Sequence, residues 1–589
     1  MGKNKFRIAA LFLLIFAVIL AGSYYRGQKT EENPGQNSKE ESLQEKISYA
    51  VEKEQAVDIN EVGMIEDLSV YDGDDPDSIV YFYVTVQKGD AGSDTDHTFS
   101  EVNNVVRFLD SAHVQNDVYA RAIVQVGDEN GPKPGMLGYS AQKANATIRI
   151  RGNSSTVKAQ KSYKLKLDDE ADLWRGQKNI ALNKSAFDVT RIKNKLYFDM
   201  LRKVEGVPSI RTQFVRLFIK DETSGKTQFE DYGLYTQAEV PNKKYLANHG
   251  LDKEGYLYKA ISFNFEPSEG LKNFDDPAFD QEAFDTVLSC KGRKDNEKLI
   301  NLVELINDRS VDINEIIGRY IDRENYITWL AYNILLANID TTVQNFYLYS
   351  PVNSDKWFFI PWDGDNMLHV REDKMEGLDG NYGNWEHGVS NYWGVILHQR
   401  FLKNAANRKE LEDKVEELYQ IINQESVDAL VRQYNQTVEP YVTAMPDYYY
   451  LEHTKEERDQ ILSGLGEEVE ESYQAFKDSL HELMPFFQYS LEQDGDSLKL
   501  SWSEAYDFDN HSITYDVTVS AYPDMRDPVI QEKDLMLTEY ETTKDVLSPG
   551  TWYWQVTACT DDGRTSMAMN KIQVNEIFYP GTDILEVQG

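Results

Sequence analysis

Four oxygen-bearing side chains between residues 340 and 365 have the types and spacing that phosphoryl transfer from a nucleotide requires. Asp340 follows an apolar helical segment, Asn345 comes five residues later, and Asp363 and Asp365 follow an apolar strand. In this chemistry one Asp accepts the proton of the attacking hydroxyl, while an Asn and a later Asp hold the metal ion that bridges the phosphates. Oxygen ligands from two separate elements suit a hard cation that keeps some of its waters.

Spacing alone does not separate this interpretation from chance. The chain has 99 Asp and Glu residues, so solvated loop acids are the alternative. Two features favour a site: the acids adjoin apolar, aromatic strands, and Asp363 follows Phe358-Phe-Ile-Pro-Trp362, which should be buried. A buried carboxylate must be paired or bound to a metal. A glycosidase that uses Asp363 and Asp365 is a weaker alternative, because both acids lie on one loop and no acid is identified opposite them.

The elements that must position these residues change type along the chain. Alternating polarity and a high content of Val, Ile and Tyr predict strands over 78–90, 118–126, 145–151, 161–167, 213–220, 232–239 and 255–260. Apolar residues at helical spacing predict helices over 188–202, 281–289, 296–307, 322–338, 407–423, 426–441 and 454–486. A strand-rich half followed by a helical half predicts an α+β fold with two lobes.

The two ends of the chain differ from this central region, which spans 55–488. Three basic residues precede the uncharged run 8–25, so residues 1–25 are predicted to be a signal peptide or an uncleaved signal anchor. Residues 26–54 are polar and are predicted to form a solvated stalk. Short alternating strands over 489–589 predict a C-terminal β-sandwich that resembles a fibronectin type III module.

Composition excludes several classes of protein. The formal net charge of −38 repels phosphate backbones and argues against nucleic-acid binding. Only two cysteines are present, which excludes a disulfide-rich scaffold and a cysteine-clustered metal site. An aromatic content of 12% excludes global disorder. The apolar N-terminal run and the absence of a second one predict a protein exported to the cell surface, membrane-anchored or secreted.

Several ordered motifs resemble those of the spore coat protein H (CotH) kinase family. The motifs lie at 145–155, 160–167, 182–197, 233–239 and 338–365, and the resemblance covers roughly residues 115–425. Members look like atypical two-lobed protein kinases that transfer phosphate from ATP to Ser or Thr of secreted or spore-coat proteins. The resemblance implies ATP and Mg²⁺ or Mn²⁺ as cofactors, with Asp340 as the catalytic-loop Asp and with Asn345 and Asp363 as metal ligands. It leaves Asp365 as a second ligand or a loop acid.

The nucleotide side lacks a Gly-x-Gly-x-x-Gly motif. The segment Arg151-Gly-Asn-Ser154-Ser155 instead joins two strands. It either covers the phosphates with N–H groups and hydroxyls or forms an ordinary hairpin loop.

A cation should neutralise the α- and β-phosphates of the nucleotide. Lys161 fits the family motif, and Lys164, Lys166 and Arg151 are rivals. Because side chains alternate along a strand, Lys161 and Lys164 should not both face the cleft. Glu239, at a strand end, is predicted either to line the adenine pocket or to cap a surface turn.

Two functions follow from these features. The first is an exported protein kinase whose acidic surface favours basic acceptor proteins. The second is a non-catalytic cell-surface protein that binds cell wall or glycan on a kinase-like scaffold, which the stalk, the C-terminal module and the many Tyr and Trp residues favour.

Overall fold

The computed structural model describes residues 63–107, 117–377, 385–575 and 577–589. The predicted export segment (1–25) and stalk (26–54) lie outside the described residues. Within the described ranges, no helix has both the length and the apolar character needed to cross a bilayer.

In the described part of the chain, eight strands form an N-terminal sheet in the order β1-β7-β8-β6-β5-β4-β2-β3. Their bounds are β1 Ile79–Gln87, β2 Ala120–Asp128, β3 Gly131–Pro132, β4 Ala146–Arg151, β5 Ser162–Leu167, β6 Asn179–Asn183, β7 Thr212–Asp221 and β8 Glu230–Ala238. β1 runs parallel to β7 and also pairs with β2, so the sheet closes on itself. The enclosed face carries a hydrophobic cluster of its own, which includes Phe82, Val84 and Leu165.

Alternation along β4 and β5 decides which basic residues share a face. The apolar residues of β5 are buried, as the alternating sequence predicted. Arg149 is directly opposite Lys164, and Arg151 is opposite Ser162. Because residues directly opposite each other in a sheet lie on the same face, Arg149, Arg151 and Lys164 all project from the outer face.

The second half of the chain is mainly helical. The helices of the described residues are α1 Phe99–Asn103, α2 Lys193–Leu201, α3 Lys243–Asn248, α4 Gln281–Val287, α5 Glu297–Asn307, α6 Ile313–Tyr320, α7 Arg323–Leu335, α8 Val370–Glu376, α9 Ile396–Leu402, α10 Ala405–Tyr419, α11 Gln424–Val442 and α12 Lys455–Ser479. Most of the predicted helices are present with bounds shifted by a few residues. The mixed α+β architecture predicted from the sequence is confirmed.

Helix α2 begins five residues later than predicted. Asp188 was expected in its first turn, but its carboxylate accepts hydrogen bonds from the N–H groups of Thr190 at 2.8 Å and Lys193 at 3.0 Å. The buried Asp188 side chain therefore accepts from one N–H group before the helix and from the first N–H group within it. These bonds explain why the chain stays non-helical up to Ile192.

A four-stranded sheet in the order β10-β9-β11-β12 lies within the helical half. Its strands are β9 Tyr256–Ala260, β10 Leu288–Cys290, β11 Phe346–Ser350 and β12 Phe358–Pro361. Because β11 and β12 are antiparallel, with Phe346 opposite Pro361, the start of β11 and the end of β12 meet at one edge of the sheet. The N–H of Trp362 donates to the carbonyl of Asn345 at 3.0 Å and fixes this meeting point.

The described residues after α12 form further strands. They are β13 Glu492–Asp494, β14 Ser497–Ser501, β15 Ile513–Ser520, β16 Ile530–Leu535, β17 Glu539–Thr543, β18 Gly550–Thr560, β19 Thr565–Met567, β20 Lys571–Val574, β21 Ile577–Pro580 and β22 Thr582–Val587. They enclose a separate hydrophobic cluster that includes Trp502, Tyr515 and Trp554. We call residues 489–589 the C-terminal module; its likeness to fibronectin type III stays a prediction.

Candidate active site

Asp340 lies in a short turn, Ile339–Thr341, just after the buried helix α7. The helix is capped at its start by Asp322, and its ring-bearing residues are buried, so its end is rigidly placed. The Asp340 carboxylate accepts hydrogen bonds from the side-chain amides of Gln344 and of Asn345, the latter at 2.8 Å. These two bonds hold the carboxylate at the edge where β11 begins.

Asn345 lies just before the start of β11 and Asp363 lies just after the end of β12, where the two strands meet at this edge. Both have left-handed backbone conformations, with φ of 57° and 58°. Asn and Asp tolerate this conformation better than other residues with a side chain, and such backbone positions cluster at functional sites. Because the Asn345 amide nitrogen donates to Asp340, its amide oxygen points elsewhere and is available to a cation.

Helix α2 forms the wall beside Asp363. The amide nitrogen of Asn194 donates to the Asp363 carboxylate at 3.3 Å. One turn later, the Tyr197 ring lies so close to Gly364 that a Cβ on this glycine would stand 2.1 Å from the ring. Glycine at position 364 therefore allows the Asp363–Asp365 loop to lie against α2. Sequence reasoning gave neither Asn194 nor Tyr197 a role.

Like charges and burial act together on the acids of the site. Burial raises the pKa of Asp365 well above its ordinary value, and the neighbouring Asp363 carboxylate raises it further. Burial also raises the pKa of Asp340, against the opposing effect of the Gln344 hydrogen bond. Both effects disfavour the charged forms of these carboxyl groups, and carboxyl groups perturbed in this way are typical of catalytic and cation-binding sites.

The arrangement suits a divalent cation and a polyphosphate. The amide oxygen of Asn194 has no hydrogen-bond partner in the described structure, although the residue is only 2% exposed. A buried unpaired acceptor beside a carboxylate is a group that a cation can satisfy. Among the described residues no group of three His, Cys, Asp or Glu side chains is placed to bind a metal. A Mg²⁺ held here would also take amide oxygens, phosphate oxygens and water as ligands, as is usual for this ion.

Two cationic side chains, Arg151 and Lys259, lie near these acids, and neither forms a hydrogen bond or ion pair with a described residue. The Arg151 guanidinium lies 5.7 Å and the Lys259 ammonium 5.5 Å from the centre of the Trp362 ring. The Asp363 carboxylate acts electrostatically on both. Arg151 was a predicted phosphate contact, whereas Lys259, on β9, was not identified from the sequence.

Removal of the Lys259 charge should weaken nucleotide binding. Burial lowers the pKa of Lys259 to about 8, so the ammonium is present below that pH and is lost above it. We expect ATP affinity to change little between about pH 7 and 8, where the terminal phosphate is already ionised, and to fall by up to about tenfold per pH unit above pH 8. Lys259→Met should bind ATP weakly at every pH. Lys259→Arg should show a shallower decline.

Calorimetric titration with ATP across this pH range measures the effect. Lys243→Met is the matched control, because Lys243 is exposed and paired with Glu254. Burial also lowers the pKa of Lys164 to about 8, so we expect loss of the Lys164 charge to cause the decline that remains in Lys259→Arg. Equal pH profiles in Lys259→Met and the wild type would contradict the assignment.

The other predicted nucleotide contacts lie in three different settings. Ser154 is exposed and Ser155 half-buried on the turn after Arg151. Arg107 holds that turn by donating to the carbonyl of Gly152 at 2.8 Å. The Lys161 ammonium donates to the carbonyl of Thr156, at the far end of the same turn.

Lys164 shares the outer face of β4 and β5 with Arg149. Together they line a cavity of about 560 Å³ that also includes Lys166 and Tyr119. Burial, and then the nearby Arg149 and Lys291, lower the pKa of Lys164, although Arg149 itself pairs with Asp117 at 3.1 Å. Asp94 also lines the cavity, and Arg151 does not.

Glu239 is almost fully buried, at 1% exposure. Its carboxylate accepts hydrogen bonds from the side chain of Gln177 and the backbone of Arg211, and pairs with His249 at 2.8 Å. The surface-turn prediction is wrong, because the residue is buried. Glu239 lines a small cavity with Gln177 and Arg211, and a place beside the adenine stays a prediction.

Comparison with known proteins agrees with the motifs. Inner spore coat protein H of Bacillus subtilis (strain 168) is 22% identical over 355 residues, which are 60% of this chain and 92% of that protein. Invasin CotH2 of Rhizopus delemar is 23% identical over 345 residues, 53% of this chain and 55% of that protein. The proinflammatory kinase CtkA of Helicobacter pylori overlaps with a TM-score of 0.26 at 12% identity, over 54% of this chain and 91% of that structure.

A model of the CotH kinase protein family matches residues 148–489, which is more than half of the 589 residues. This range contains Asp340, Asn345, Asp363 and Asp365, and it ends where the C-terminal module begins. The chain therefore belongs to the CotH kinase protein family.

Proposed function

We propose that this protein transfers the γ-phosphate of ATP to the hydroxyl of Ser or Thr in exported, cell-surface or spore-coat proteins. The observation that carries this proposal is the convergence of Asp340, Asn345 and Asp363 at one edge of the β9–β12 sheet, opposite two uncommitted cations. Family membership supports the same conclusion.

Each residue has a role that follows from its position. Asp340 accepts the proton of the acceptor hydroxyl, and its raised pKa brings its basicity closer to neutral pH. The hydroxyl oxygen bonds to the γ-phosphorus while the bond to the β–γ bridging oxygen breaks, and ADP leaves with that electron pair. Arg151 and Lys259 stabilise the negative charge of the phosphates.

The metal ligands of the proposed site are Asn345 and Asp363, with Asp365 as a further candidate. A bound Mg²⁺ or Mn²⁺ would neutralise phosphate charge and align the γ-phosphate with the acceptor. The pKa of Asp365 is raised first by burial and then by the neighbouring Asp363 carboxylate, and a bound cation would favour the charged form. Asp363 lies beside α2 and is held by Asn194.

The location and partners are proposed on separate grounds. One relative is named a spore coat protein and another an invasin, and residues 1–25 are predicted to be an export segment. The net charge of −38 favours basic acceptor segments. Contact with cell wall or glycan is proposed for the C-terminal module.

Incubation of the protein with labelled ATP, Mg²⁺ or Mn²⁺ and a Ser-containing peptide tests the proposal. We expect label in a peptide with Lys around the Ser and much less in the matched peptide with Glu at those positions. ATP with metal should also raise the unfolding temperature, because a ligand that binds the native state stabilises it. If the protein neither transfers phosphate nor is stabilised by ATP with metal, the non-catalytic surface protein is favoured instead.

A further inference from the structure

The turn that carries Asp340 is held from one side by the short helical turn Ser390–Tyr392. The Tyr392 hydroxyl lies 2.7 Å from the Thr341 hydroxyl, which itself donates to the carbonyl of Asn338 at 2.9 Å. Because the single Thr341 proton is used in that bond, Tyr392 must be the donor to Thr341. The neighbouring Asn391 amide donates to the carbonyl of Ile339 at 3.2 Å. Residues on both sides of Asp340 are thus bonded to 391–392.

Trp393, the next residue, is held by the C-terminal module. Its ring centre lies 5.2 Å from that of Tyr506 and 5.7 Å from that of Phe508, both on the connection between β14 and β15. Phe508 belongs to the hydrophobic cluster of the helical half and not to that of the module. Trp393 is 3% exposed, so these two rings complete its burial.

The module connection is itself firmly anchored. Asp507, which lies between the two ring-bearing residues in the chain, is buried and accepts two hydrogen bonds from Arg564, at 3.0 and 3.1 Å. The carbonyl of Tyr506 accepts from the N–H of Met484, which precedes the module, at 2.8 Å. The Arg408 guanidinium of α10 lies 4.2 Å from the centre of the Phe508 ring. The rings of Tyr506 and Phe508 are therefore held in place where they pack against Trp393.

We propose that the C-terminal module helps to position the catalytic residue Asp340. Tyr506 and Phe508 hold Trp393, and the adjoining residues Asn391 and Tyr392 position the turn that carries Asp340. These are positioning residues, and the inference rests on the proposed function for its effect on turnover. It assigns an intramolecular role to a module that lies outside the range matched by the family.

The test compares the full-length Tyr506→Ala/Phe508→Ala double variant with the wild type. Hydrogen exchange of the amides in 338–345 should become faster, because the support of Trp393 is lost. The kcat of phosphoryl transfer should fall about 10- to 100-fold, since displacement of a catalytic group by about 1 Å has costs of that size. The KM for ATP should stay unchanged, because the nucleotide contacts lie on Arg151 and Lys259.

Three further variants separate positioning from general loss of structure. Tyr506→Phe keeps the ring and should retain both wild-type exchange and wild-type kcat. Tyr540→Ala removes a half-buried tyrosine that packs on the module's own core, and it should leave 338–345 unchanged. Tyr392→Phe removes a single hydroxyl at the other end of the same series of contacts and should speed exchange at Thr341.

The two measurements distinguish failure of this inference from failure of the proposed function. Unchanged exchange in 338–345 in the double variant overturns the inference, whatever the activity. If exchange is faster in the double variant but the wild-type protein transfers no phosphate, the contact between the module and the Asp340 turn is upheld and the kinase proposal is rejected. Equal losses of kcat in Tyr540→Ala and in the double variant would also overturn the inference.

Discussion

Asp363→Asn should lose phosphoryl transfer by at least about 10²- to 10³-fold, the cost of removing one group that stabilises charge in a transition state. Asp363 lies two residues after the end of β12, and its carboxylate contacts α2 through Asn194. Without its charge, the remaining oxygens bind a divalent cation weakly, and stabilisation of the protein by ATP with Mg²⁺ should disappear as well. Initial rates and unfolding temperatures measure the two effects.

Asn is a better choice than Ala at this position for a structural reason. Residue 363 has a φ of 58°, a conformation in which Asn costs little and Ala is strained. The Asn variant therefore tests the charge and not the backbone. Asp534→Asn is the matched control, because Asp534 has a φ of 56° on strand β16 of the C-terminal module. Full transfer activity in Asp363→Asn would end the kinase proposal.

Asp340→Asn should lower kcat by about 10²- to 10⁴-fold, the usual contribution of a general base. The substitution keeps an oxygen that can accept the hydrogen bond of Gln344 or Asn345, so the turn should keep its conformation. Because Asp340 is not proposed to hold the cation, ATP with Mg²⁺ should still stabilise this variant. This separates it from Asp363→Asn.

The pH profile gives an independent test of the same residue. The carboxylate is the active form, and burial raises its pKa, so turnover should fall as the pH drops through a value above the ordinary range for Asp. The residual activity of Asp340→Asn should lack this acidic limb. The same limb in variant and wild type would assign it to another group.

The acidic half of the site could be predicted from the sequence because that half is local. Asp340, Asn345 and Asp363 lie within 24 consecutive residues on a helix end and two paired strands, and antiparallel pairing brings the ends of such strands together. The residue types were also informative, since carboxylates next to apolar strands are seldom mere surface groups.

The cationic half could not be predicted in the same way. Lys259 lies on β9, far before the turn at Asp340 in the chain, and nothing in its neighbours distinguishes it from an ordinary strand lysine. Asn194 lies within the predicted helix 188–202, but the helical pattern does not show that its side chain reaches Asp363. The closed N-terminal sheet depends on the pairing of β1 with both β2 and β7, and local patterns do not specify such long-range register.

The left-handed backbone at Asn345 and Asp363 has an evolutionary consequence. Glycine adopts this conformation without strain, and a single base change converts an Asp codon into a Gly codon. A descendant that carries the substitution Asp363→Gly would keep its backbone but lose the charge that the proposed catalysis requires. Pseudoenzymes should therefore arise readily from this lineage, and glycine at the position of Asp363 would mark them.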